Sequence, residues 1–357
     1  MIESAKGEGT RGGLRYGSRA NNINLLRFIA ASMVLYFHMD ILLGKSGYEI
    51  MGQGLGSIAV NVFFVLSGYL LAGSWRRSSG LFSYLIRRAA RIFPGLIVVV
   101  FVTAFVVGPL FTSLGLSEYY SNPATWKYLK NILFSAAGTL PGVFEGAPYP
   151  SAVNGSLWTL RYEFAMYLLV PMVYGLLDRL GNARRIVALV SLSFLVGGYC
   201  LISGFGVPVP ELCAQSVRLA SYFFAGCVVY EFELIEYFDV QYSVVAVLFL
   251  LVFAREDGPM CPLLIFVATT MLTLGFAFAP QPKFASCFSK NDFSYGIYIW
   301  AFPIQQVLVQ LGGGAFQDST FLYSLVAFVV TLALSVCSWF LVEKPCIQWG
   351  RRLSDRV

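Results

Sequence analysis

Residues 23–43, INLLRFIAASMVLYFHMDILL, form an apolar run broken by a cation near one end and an imidazole near the other. As a helix the run is about 30 Å long, the thickness of a bilayer's hydrocarbon core. It is too long for the apolar region of a signal peptide, and no small-x-small cleavage site follows it, so it reads as a retained membrane span. His38 is the single histidine of the 357-residue chain. Arg27 and His38 are separated by about three helical turns, which puts them on one face about 16 Å apart along the axis. Histidine is the side chain suited to proton transfer near neutral pH, and ionisable groups inside a bilayer are expensive enough to suggest function. The plainer reading is a histidine packed between helices with its nitrogens hydrogen-bonded.

The rest of the chain resembles this stretch. It is 57% hydrophobic and 12% charged, with a mean hydropathy of +0.69, whereas a soluble domain carries about 25% charged residues. The fold class is therefore an all-α polytopic membrane protein. Apolar runs at 23–43, 55–74, 92–111, 157–177, 186–206, 215–231, 241–254, 260–280, 293–311 and 319–342 predict ten spans, with 241–254 short. The apolar segment Ile132–Leu140 is too short to cross. Basic residues cluster at alternate ends of these runs. Arg11, Arg15 and Arg19 precede the first, Arg76, Arg77, Arg87, Arg88 and Arg91 follow the second, and Arg179, Arg184 and Arg185 follow the fourth. Lys283, Lys290, Lys344, Arg351, Arg352 and Arg356 continue the alternation. By the positive-inside rule both termini are expected in the cytoplasm. The expected organisation is a mobile cytoplasmic tail (1–20), a transmembrane domain (21–345) and a cytoplasmic C-terminal tail (346–357).

The net charge of +6 is a topological signal here and not a nucleic-acid signal, because the cations sit at the ends of apolar runs. The seven cysteines show no CxxC spacing. With one histidine in the chain, neither a zinc site nor other metal chemistry is expected, and no disulfide framework is expected either.

Depth arithmetic gathers three polar residues. From the expected outer boundary, His38 lies about 8 Å down the first span, Asn61 about 6 Å down the second and Glu163 about 9 Å down the fourth. Together they predict a buried polar site opening to the outside, in which Glu163 orients the imidazole and raises its basicity. Singly, Asn61 reads as an interhelical hydrogen bond and Glu163 as a structural partner of Arg161. A second group comprises Arg87, Arg88 and Arg91, with Arg27 at the same surface; Arg-x-x-Arg suits a polyanion such as phosphate, or only anionic lipid and topology. The long external segment 112–156 carries Tyr119, Tyr120, Trp126, Tyr128 and Tyr149. These rings suit stacking on sugars and suit an interfacial aromatic belt equally well.

These residues resemble the acyltransferase family 3 membrane proteins. The resemblance rests on Leu25 to Ala31 running to Phe37-His38, on Val62-Phe63-Phe64-Val65-Leu66-Ser67-Gly68-Tyr69-Leu70, and on Arg87-Arg88-Ala89-Ala90-Arg91-Ile92-Phe93-Pro94. Asn154 to Glu163, Ser294 to Trp300 and Glu343-Lys344-Pro345 extend it in order over nearly the whole chain. It implies a ten-span enzyme that uses cytoplasmic acyl-CoA to acylate a hydroxyl, usually on a cell-surface glycan. It also implies catalysis by His38 and contact of Arg27, Arg88 and Arg91 with CoA phosphates, Arg87 being a further candidate. Three departures stand out. Ala301 occupies the place of a second histidine that many relatives carry, Asn61 stands where an acid is frequent, and no fused esterase-like domain is seen, so direct transfer to the final acceptor is expected.

The mechanism expected is general-base catalysis by His38, with Glu163 positioning the ring and Asn61, Trp158, Arg161 or Tyr162 near the acceptor or the oxyanion. Acetyl-CoA is the expected co-substrate, no permanently bound cofactor is expected, and the expected site is the bacterial inner membrane, modifying an exopolysaccharide, O-antigen or related glycan. The alternatives are a glycan transporter or flippase without acyl transfer, and an acyltransferase acting on a small lipid or macrolide-like acceptor.

Overall fold

The computed structural model describes residues 21–253, 258–312 and 319–357. The expected N-terminal tail (1–20) lies outside the described residues.

Ten long helices follow the ten apolar runs. They are α1 (Ile23–Leu42), α2 (Leu55–Arg76), α3 (Leu81–Val102), α4 (Leu160–Arg179), α5 (Arg184–Gly204), α6 (Glu211–Glu231), α7 (Val240–Phe253), α8 (Cys261–Phe278), α9 (Ser294–Gly312) and α10 (Thr320–Ser338). The strand content of the described residues is a two-residue hairpin, Glu49–Ile50 with Gln53–Gly54, in the α1–α2 turn. Among the described residues, eight helices are long and apolar enough to cross a membrane. The other two are α7, with only 14 residues, and α9, whose apolar course is broken by the buried pair Gln305 and Gln306. The protein is a multi-pass membrane protein. Segment Ile132–Leu140 does not cross: Leu129–Leu133 is a 3₁₀ turn, ended by Phe134 in the left-handed region.

Lipid gives helices no hydrophobic reason to associate, so small residues that let backbones approach become the main device. The α2–α6 seam is built this way. A Cβ on Gly68 would stand 1.8 Å from the carbonyl oxygen of Phe223, and one on Gly226 would stand 2.1 Å from that of Val65. Pro94, Pro171 and Pro303 lie inside α3, α4 and α9, as membrane helices tolerate where neighbours satisfy the backbone. A π-turn at Thr103–Val107 extends α3, and Tyr119 Oη donates to the Ala104 carbonyl there at 2.7 Å. A second π-turn, Trp339–Glu343, joins α10 to α11 (Lys344–Ser354). The stretch expected as a C-terminal tail is thus helical through Ser354. It lies against α3, with Gly350 facing Ala90 too closely for a Cβ.

One end of the bundle is tied by charge. Arg76 at the end of α2 donates to both carboxylate oxygens of Asp178 at the end of α4, each at 2.9 Å, and to Glu231 at the end of α6 at 2.7 Å. Arg184 at the start of α5 stands 3.6 Å from Glu231. These helix ends meet as the positive-inside reading requires, and we refer to this as the basic end.

Candidate active site

Asp292 lies just before α9 and organises the first part of the site. Its Oδ1 accepts from the Ser294 backbone N at 3.1 Å, opening the helix. Its Oδ2 faces the Arg27 Nε at 3.1 Å and also pairs with Arg91 Nη2. Burial alone would raise this carboxyl, but Arg27 and Arg91 outweigh burial and, with Ser294, hold it at about 2. The Arg27 guanidinium also sits 5.4 Å from the centre of the Phe63 ring. Two of the four arginines expected to meet CoA phosphates, Arg27 and Arg91, are therefore engaged by one carboxylate. Arg87 and Arg88 are not: among the described residues neither stands in an ion pair. Arg87 Nη2 donates to Ser78 Oγ at 2.6 Å, and the Nε of each is buried without a partner.

Arg27, Ser67, Thr159, Glu163, Ser294 and Tyr298 are among the residues lining a cavity of about 30 Å³, room for about one water. Glu163 accepts from Tyr167 Oη at 2.6 Å. It thus lies beside Arg27, displaced toward the basic end from the level expected for it. The reason is the approach of the chain. Gln306 donates to the carbonyls of Tyr149 (2.9 Å) and Ala152 (2.7 Å), Asn154 donates to the Ile299 carbonyl at 3.0 Å, and Thr159 Oγ1 meets Tyr298 Oη at 2.5 Å. Residues 149–159 descend along α9 before α4 begins. Counting from the apolar boundary near Leu157 took that descent for the membrane surface.

His38 lies farther along α1. Its ring is edge-on to Phe302, with centroids 5.2 Å apart, and 6.0 Å from Phe37. Its Nδ1 is buried without a hydrogen-bond partner. The expected Glu163–His38 pairing is absent, because Glu163 sits beside Arg27 and Tyr167, nearer the basic end, while His38 lies against Phe302. The structure does retain the axial order: Arg27 pairs beside Ser294 at the start of α9, Glu163 and Tyr298 come next, and His38 meets Phe302 about one turn beyond Tyr298 on that helix.

The acceptor-side candidates divide. Arg161 Nη2 donates to Tyr162 Oη at 3.1 Å, so Arg161 is not the partner of Glu163, and Trp158 is edge-on to Tyr162 at 5.7 Å. Asn61 is engaged across the α2–α6 seam, where its Oδ1 accepts from Arg218 Nη1 at 2.9 Å. Sequence reasoning missed Arg218 and Asp292. Arg218 is the one charge in the interior of the run 215–231, and Asp292 stands two residues before Ser294, where the Ser294–Trp300 motif begins; both were readable as charges beside or within spans.

With this geometry in place, comparison with known proteins decides the family. The acyltransferase family 3 model, described as an acyltransferase domain, matches residues 20–340. The chain belongs to this family. It is a membrane acyltransferase. An O-acetyl transferase of Shigella phage Sf6 is 30% identical over 329 residues, covering 91% of this chain and 96% of that protein. Nodulation protein 10 of Rhizobium leguminosarum bv. viciae is 25% identical over 370 residues, 94% of this chain and 95% of that one. Peptidoglycan O-acetyltransferase OatA of Listeria monocytogenes is 26% identical over 163 residues, 42% of this chain and 23% of its own. No solved structure matches the acyltransferase.

Proposed function

We propose that this acyltransferase moves an acetyl group from cytoplasmic acetyl-CoA to a sugar hydroxyl of a cell-surface glycan, from a position in the bacterial inner membrane. The observation that carries the reading is the unpartnered Nδ1 of His38, buried on α1 about three turns above the Arg27–Asp292 cluster. Leaving a polar atom buried and unbonded is costly, and a base awaiting its substrate is one reason to keep it so. Support also comes from the names of two relatives, both O-acetyl transferases, one of them acting on peptidoglycan.

Arg87 and Arg88, the arginines without carboxylate partners, face the anionic part of acyl-CoA. The arm passes Arg27, Glu163 and Tyr298 toward His38. The imidazole takes the proton of the acceptor hydroxyl, whose oxygen bonds to the thioester carbonyl carbon. As the tetrahedral intermediate collapses, the carbon–sulfur bond breaks and the imidazolium returns its proton to the leaving thiolate, so that an ester and free CoA result. In this scheme Glu163 lines the arm's route instead of touching His38, and Trp158, Arg161 and Tyr162 form the acceptor-side wall.

The test is mass spectrometry of surface glycans from a strain lacking the gene, complemented with wild type or His38→Ala. An ester mass that returns only with wild type identifies acyl group and acceptor together. Equal restoration of phenotype by both, with no acyl change, would overturn acyl transfer in favour of glycan transport.

A further inference from the structure

Arg218 lies two turns into α6 and is only 7% exposed, while Asn61 opposite it is 0% exposed. The guanidinium donates through Nη1 to Asn61 Oδ1 at 2.9 Å and to the Ser57 carbonyl at 3.5 Å. Through Nε and Nη2 it donates to Gln215 Oε1 at 3.0 and 2.6 Å. Every one of these partners is neutral. Arg27, Arg76, Arg91 and Arg184 each stand in an ion pair, and among the described residues Arg218, more buried than any of them, stands in none. Glu211, exposed at the start of α6, stands in no ion pair with it and acts on it only at longer range; its direct contact is with Gln215, whose Nε2 donates to Glu211 at 2.6 Å.

A guanidinium buried without a carboxylate in contact is costly even within a polar setting. Neutral amides satisfy its hydrogens but not its charge. The second observation concerns the amide. With Asn61 Oδ1 held on Arg218, its Nδ2 is fixed in place, buried and without an acceptor. An unspent amide donor and a positive charge with no carboxylate in contact therefore sit side by side, in the half of the bundle away from the basic end. A group that supplies both a charge and acceptor oxygens is an oxyanion.

We propose that Arg218 and Asn61 form a receptor for an oxyanion group carried by the acceptor, either the carboxylate of an acidic sugar or the phosphate of a lipid carrier. This rests on the reading that the acceptor is a glycan entering from that half. The receptor is separate from the reacting atoms: it registers the acceptor, and His38 acts on a hydroxyl elsewhere in it.

Binding to the full-length protein in nanodiscs, with no acyl donor present, tests the proposal. The probes are glucuronate against glucose, and a polyprenyl phosphate against the corresponding polyprenol, read as dissociation constants and as shifts in unfolding temperature. One anionic probe is expected to bind and stabilise while its neutral counterpart does not. Its affinity is expected to fall about tenfold or more in Arg218→Gln and in Asn61→Ala, and less in Arg218→Lys, which keeps the charge but loses the fork. A glucuronate response assigns an acidic sugar; a polyprenyl phosphate response assigns the carrier. If wild type does not distinguish the anionic from the neutral member of either pair, the receptor is overturned, and this comparison decides even where Arg218→Gln fails to fold. Because no acyl group moves in the measurement, its failure leaves acyl transfer standing. Loss of acyl transfer in the glycan analysis would likewise leave the binding result intact.

Discussion

Arg27 Nε stands 3.1 Å from Asp292 Oδ2, joining the start of α1 to the turn before α9. Arg91 of α3 takes the same oxygen. Three segments far apart in sequence thus meet at one carboxylate, beside the small cavity that Glu163 and Tyr298 also line. Both guanidinium groups are paired with it, whereas Arg87 and Arg88 stand in no ion pair among the described residues.

Removing that carboxylate should therefore cost stability before it costs chemistry. Asp292→Asn keeps the shape and one acceptor but leaves two guanidinium groups uncompensated. The loss expected is about 3 kcal/mol, the range for breaking a buried pair, read as a lower unfolding temperature of the solubilised protein. An unchanged unfolding temperature would mean that the cluster is solvated and inert.

The same carboxylate predicts a pH dependence with a definite sign. Its folded value, about 2, lies below the ordinary aspartate value of about 3.9. A depressed carboxylate stabilises fully above its unfolded value and loses that contribution as pH falls through the folded one. Stability measured from pH 5 down to pH 2 should fall more steeply in wild type than in Asp292→Asn. Parallel curves would show that other acids control the acid limb.

Much of this architecture was legible in the linear chain. Each apolar run became a helix, and the arginines at alternate ends did gather, as Arg76, Asp178, Glu231 and Arg184 show. What hydropathy cannot show is a non-helical segment travelling inside the bundle. Residues 149–159 descend beside α9, held by Gln306 and Asn154, and this carries Glu163 down to the level of Arg27. Counting residues from an apolar boundary equates the boundary with the membrane surface, which fails wherever the chain enters before its helix starts. The Asn61–Arg218 pair was hidden for another reason: partner choice between α2 and α6 is a property of packing, and nothing within either run names the other.

That packing makes its own prediction. Gly68 and Gly226 bring the α2 and α6 backbones together, and a Cβ at Gly68 would overlap the Phe223 carbonyl, which has no flexible side chain to move aside. Gly68→Ala should cost at least about 2 kcal/mol, in the range of overpacked cores, and should weaken the Asn61–Arg218 register about two turns away along α2. Gly175→Ala in α4 is the control, since nothing stands within 4 Å of its added Cβ. Equal unfolding temperatures for the two variants would show that the seam has room to part.

The division among the arginines gives the last test. If Arg87 and Arg88 hold the anionic part of acyl-CoA while Arg27 and Arg91 are committed to Asp292, then kinetics and stability should separate. Arg88→Ala should raise KM for acetyl-CoA about tenfold, the loss of roughly one charge-assisted contact, with little change in unfolding temperature. The effect should shrink as salt rises, since surface charge is screened. Arg91→Ala should instead lower the unfolding temperature, because it leaves Asp292 with a single arginine, and any KM change should follow from that loss. Lysine at position 88 should restore part of the affinity by charge alone, without the fork that grips phosphate in two places. The reverse pattern, with Arg91→Ala stable and impaired in acetyl-CoA binding and Arg88→Ala silent, would place the phosphates on the Arg27–Asp292 cluster, and the ion pair would then have to open whenever the co-substrate binds.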